Sequence, residues 1–102
     1  MVSAKTKQTK FPNHLLLYRS RMQITKEYVA RLLGHKSART VARLEGGHNL
    51  PGVSTLFKLS AILRVPTEFL YQDLYSELRS DIRKREEQMP VGQQGVLPLL
   101  MR

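Results

Sequence analysis

The sequence predicts an all-α fold of five short helices, the last of them prolonged. Three observations carry this: apolar residues recur three and four positions apart, polar caps precede the first three runs, and glycine or proline breaks the chain between several of them. The predicted spans are Asn13–Met22, Thr25–Leu33, Ser37–Glu45, Val53–Leu63 and Pro66–Ser76, the fifth continuing towards Glu87. No strand is expected between Asn13 and Tyr71.

Asn13, after Phe11 and Pro12, is the expected cap of the first helix, where Leu15, Tyr18 and Met22 form a stripe with Leu16 and Leu17 beside it. Thr25 caps the second helix, Val29, Leu32 and Leu33 share its inner face, and Gly34 supplies a left-handed stop. Ser37 is the expected cap of the third. Val41 and Leu44 then point inward and leave Ala38, Arg39, Ala42 and Arg43 outside. Small Ala30 allows these two helices to cross closely. Two short helices joined by a tight turn in this way form a helix-turn-helix, whose second helix enters the DNA major groove.

Gly46 to Gly52 is a loop by composition, and the N–H groups of its paired glycines are expected to approach phosphates. The fourth helix carries Val53, Leu56, Phe57, Leu59, Ile62 and Leu63 as a wide apolar face, with Lys58 its one charge. Pro66 is placed at the first position of the fifth helix. Phe69, Leu70, Leu74, Leu78 and Ile82 continue at spacings near four, with Tyr71 and Tyr75 alongside. Met89-Pro90 ends it. This divides the chain into a basic flexible arm (1–11), a DNA-binding domain (12–76), a helical extension (77–88) and a tail (89–102). The arm either reaches around a duplex or is a solvated tail; the apolar end of the chain either docks in a groove or hangs free.

The run Ile24-Thr25-Lys26-Glu27, Ala30, Leu33-Gly34, Ser37, Thr40-Val41-Ala42-Arg43-Leu44-Glu45 resembles the Xre/Cro family of phage-repressor-like DNA-binding domains. Leu15, Tyr18 and Arg19 resemble that family's first helix, and Pro51 through Leu70 its fourth and fifth, so the likeness spans about two-thirds of the chain. It implies a five-helix phage-repressor-like bundle, past whose end the periodicity carries the C-terminal helix of this chain. It also implies an ion pair between Arg19 and Glu45, favoured over a phosphate contact for Arg19, that sets the angle between two helices. Lys26 stands where the family usually has glutamine, and the turn Gly34-His35-Lys36-Ser37 is one residue longer than its common form. The base-reading set implied is Ser37, Ala38, Arg39, Ala42 and Arg43, with Arg39 a guanine reader, the alanines near thymine methyls, and Ser37 and Arg43 on base or phosphate. Lys26, Lys36, Gly47, His48 and Asn49 form the phosphate-binding set.

Composition narrows the alternatives. The chain has 102 residues and no cysteine, which leaves room for one domain and excludes disulfides, zinc fingers of the cysteine type and a thiol nucleophile. His14, His35 and His48 are too scattered for a metal site. No catalytic constellation or phosphate-cradling glycine loop is present, so neither an enzyme nor a cofactor is expected. The net charge of +9 is uneven: residues 1–12 hold +3, 13–35 hold +3, 36–52 hold +2, 53–75 none and 76–102 only +1. The excess thus coincides with the groove-reading motif. The expected partner is double-stranded DNA, bound as a homodimer through Leu78 and Ile82, while Leu70 and Leu74 fold back on the domain. No membrane and no small-molecule ligand are expected, and the location is cytoplasmic, on the nucleoid. The competing reading is a protein-interaction module, antitoxin-like or adaptor, with auxiliary DNA binding. RNA binding ranks third, for want of an aromatic platform.

Overall fold

A computed structural model describes residues 10–89, all of whose regular structure is helical. The helices are α1 (Leu15–Met22), α2 (Lys26–Leu33), α3 (Arg39–Glu45), α4 (Val53–Leu63), α5 (Thr67–Leu70) and α6 (Gln72–Gln88). The basic segment before Lys10 and the tail from Pro90 onward lie outside the described residues. Phe11, expected in the arm, belongs to the domain: it is partly buried against the core, and its N–H donates to the Gly47 carbonyl at 3.0 Å.

Local chemistry explains the helix ends. The Thr25 hydroxyl accepts from Tyr28 N–H at 3.0 Å and caps α2. After α1, α2 and α3 the chain turns through Gln23 (φ 60°), Gly34 (φ 88°) and Gly47 (φ 77°). Each of these N–H groups, with the next along the chain, returns to the carbonyls of the last turn, such as Gly47 to Leu44 at 3.0 Å and His48 to Arg43 at 3.1 Å. Glycine suits the left-handed state at two of the three; Gln23 adopts it with a side chain.

Ten residues form the core: Leu15 from α1; Val29, Ala30 and Leu33 from α2; Val41 and Leu44 from α3; Leu59 and Leu63 from α4; and Leu70 and Tyr71. Buried Ala30 sits where α2 packs on α3, and α4 underlies α1 and α2. Several apolar residues expected inside are exposed: Leu32 on α2, Val53 and Phe57 on α4, and Phe69.

Two expected starts and the expected continuity of the last helix are corrected. His14 occupies the cap position of α1, and the Asn13 Oδ1 accepts from Leu15 N–H at 3.0 Å, one residue too early for an ordinary N-cap. Pro66 is the cap of α5 (ψ 150°), so the first helical residue is Thr67. The fifth helix is also not continuous: Tyr71 (φ −124°, ψ 58°) breaks it, and α6 starts afresh at Gln72. The break turns the Tyr71 ring into the core, whereas Leu78 and Ile82 on α6 stay 53% and 46% exposed.

The buried Tyr71 hydroxyl has no hydrogen-bond partner among the described residues, and burial pushes its pKa from the ordinary 10.0 up to about 12. Because an unpaired buried hydroxyl is costly, Tyr71→Phe is expected to stabilise the domain by about 1 kcal/mol. Between pH 10 and about 12 the unfolded tyrosine loses a proton that the folded one keeps, so stability falls as pH rises through that window. Urea unfolding at pH 8 and pH 11 checks both points. A Tyr71→Phe protein that is less stable at pH 8, or declines just as steeply as wild type, contradicts them.

Candidate nucleic-acid interface

The interface is built on α2 and α3, joined by the turn from Gly34 to Ala38. His35 N–H returns to Ala30 O at 2.9 Å and closes the end of α2. The Ser37 hydroxyl then accepts from Arg39 N–H at 3.3 Å. That is a two-residue turn contact, so Ala38 stands at the cap position and α3 begins at Arg39, two residues later than expected.

From there the periodicity divides α3 into two sides. Val41 and Leu44 are buried, while Arg39, Ala42 and Arg43 are exposed, with Ala38 partly exposed just before them. Ion pairs among the described residues are Arg19–Glu45 and Arg83–Glu86, so no carboxylate holds Arg39 or Arg43. Two guanidiniums with free terminal donors and two small methyl groups thus share one solvent-facing surface.

The helix is clamped from behind. Arg19 Nε donates to Glu45 Oε2 at 2.5 Å and Nη2 to Oε1 at 3.1 Å, a two-pronged pair between α1 and the last residue of α3. Its third donor, Nη1, reaches the Ile24 carbonyl at 3.0 Å. The hydrogen bond to Glu45 raises the Arg19 guanidinium above its ordinary pKa, against the opposing effect of burial. The Asn13 amide adds a second tie, donating to Leu44 O at 2.8 Å and, more weakly, to Glu45 O at 3.4 Å. The sequence contains no local signal for this bond, because its partners are 31 and 32 residues apart.

Of the expected phosphate-binding residues, Lys36, His48 and Asn49 are exposed and Lys26, the first residue of α2, partly so. Gly47 differs. It is buried and its N–H is committed to Leu44 O, as the Gly46 N–H is to Ala42 O, so neither glycine offers a donor to phosphate. Beyond the glycines, Asn49 does what the sequence did not suggest. With its amide oriented by its neighbours, its nitrogen donates to His48 O at 3.0 Å and its oxygen accepts from Arg43 Nε at 3.2 Å. Arg43 is thereby braced through Nε, with its two terminal nitrogens left for a ligand. No cluster of three His, Asp or Glu side chains able to hold a metal, and no helix long and apolar enough to cross a membrane, occurs among the described residues.

A family model described as helix-turn-helix matches residues 16–70, from α1 to the end of α5. No curated protein and no solved structure matches the chain.

Proposed function

The chain belongs to the Xre/Cro-like helix-turn-helix family, whose domains bind DNA, and we propose that it is a sequence-specific transcriptional regulator that reads the major groove with α3. The observation that carries the reading is the division of α3. One side is buried and clamped by Arg19, and the other presents Arg39, Ala42 and Arg43 with no competing carboxylate. In this reading Arg39 forks onto a guanine, Ala38 and Ala42 lie near thymine methyls, Ser37 meets base or phosphate, and Arg43 is held by Asn49 for a base or phosphate contact. Lys26, Lys36 and His48 position the domain on the backbone. Gly47 shapes the end of α3 and takes no part in binding.

One helix of this length reads about four or five base pairs, so the regulator acts as a homodimer on paired half-sites. The exposed Leu78 and Ile82 support α6 as the dimer contact. Selection of bound sites from random duplex DNA tests the proposal, and enrichment of a palindrome is expected. On that site Arg39→Ala should cost roughly 1–3 kcal/mol and relax preference at one base pair, whereas Lys36→Ala should weaken matched and scrambled DNA alike and flatten the salt dependence. No enriched sequence, or equal loss on both DNAs for Arg39→Ala, would remove α3 from base reading.

A further inference from the structure

On the dimer reading above rests a further question, namely what α6 packs against. Leu74, Leu78 and Ile82 form one ridge of α6, and Asp73, Glu77 and Asp81 run beside it, each one residue earlier. All three acids are exposed, and none is paired among the described residues. The helix therefore offers an apolar edge with a carboxylate row along one flank.

A complementary surface lies elsewhere on the same chain. A cleft of about 400 Å³ opens between the end of α1, the outer side of α2 and the end of α4. Met22, Ile24, Tyr28, Leu32 and Ile62 supply its apolar lining, and Tyr28 and Leu32 are half-exposed there. Lys58 and Arg64 stand at its rim, exposed and without a carboxylate partner among the described residues. Lys58 lies on α4 and Arg64 just past its end, so the two cations flank the same end of the cleft.

We propose that α6 of one copy lies in the α1/α2/α4 cleft of a second copy, Leu78 and Ile82 on its apolar lining and the Asp73–Glu77–Asp81 row facing Lys58 and Arg64. The exchange is reciprocal, so each copy covers both surfaces. Antiparallel pairing of two α6 helices about a twofold axis is the less favourable arrangement, because it sets acidic flank against acidic flank and the Arg79/Arg83 flank against its own counterpart.

Sedimentation of the full chain, with circular dichroism as a control for folding, tests this. Wild type should be a dimer. Lys58→Glu with Arg64→Glu, or Glu77→Lys with Asp81→Lys, should each weaken dimerisation by about tenfold or more, less at high salt, and the four changes combined should restore it. Dimers that persist in Lys58→Glu with Arg64→Glu while Leu78→Ser with Ile82→Ser is monomeric would overturn the cleft and leave α6 as the contact. Dimers that persist in Leu78→Ser with Ile82→Ser, or a monomeric wild type, would overturn both. A folded four-fold variant that stays monomeric would refute the charge pairing. Enrichment of a half-site sequence tests base reading by α3 independently of these outcomes, whereas its palindromic repetition follows the dimer.

Discussion

Arg19→Ala is expected to destabilise the domain by about 2 kcal/mol, because it leaves the part-buried Glu45 carboxylate without its partner. The two side chains keep only 15% and 10% of their exposure, so water restores little of the lost solvation. It also frees the Ile24 carbonyl from its donor. Replacing both partners, as Arg19→Met with Glu45→Leu, should recover most of that loss, since a well-packed apolar pair costs no desolvation. Urea unfolding of the single and double variants checks this. A single variant within 1 kcal/mol of wild type would mean that the pair contributes orientation and little stability. Binding separates the two effects: with stability recovered but the clamp gone, the double variant is expected to bind its selected site more weakly than wild type.

Leu70→Ala is expected to be at least as costly, about 3 kcal/mol or more, through the cavity it opens in the core. Leu70 is 0% exposed, and its carbonyl accepts from His14 N–H at 2.9 Å, which joins α5 to the start of α1. Leu78→Ala, on the same sequence stripe, should change the stability of the monomer by less than about 0.5 kcal/mol. Thermal unfolding at low protein concentration compares the two directly. Equal losses would mean that α6 folds back on its own domain.

That contrast shows where the sequence is informative and where it is not. Leu70, Leu74 and Leu78 recur every four residues, and nothing in the spacing marks Tyr71 as a break. Neither glycine nor proline interrupts the run; the break goes together with burial of the Tyr71 ring, a tertiary effect. Val29, Leu33, Val41 and Leu44 were legible because their helices have one inner side, and the ends at Leu33 and Glu45 because glycine follows. The Arg19–Glu45 pairing came only with the family resemblance, since 26 residues separate the partners. Ser37 was legible as a start signal but acts one step early, bonding its second neighbour. The role of Asn49 was not visible at all: bracing Arg43 requires the turn at Gly47 that brings the loop back beneath α3.

The tie between the segment before α1 and the end of α3 bears on the order in which the motif can mature. Carbonyls at the end of a helix usually find donors nearby, but that of Leu44, already bonded to Gly47, takes a second donor from Asn13, and the Gly47 carbonyl takes Phe11. During synthesis both donors leave the ribosome ahead of α3, so the closing partner is waiting when the recognition helix emerges. Closure across 31 residues costs only slowly growing entropy, which a few contacts offset. The same dependence makes the start of the domain a remote control on its reading head. Deleting residues up to Lys10 leaves these donors in place, whereas deleting three more removes the second tie on the end of α3 without touching any residue of the helix-turn-helix.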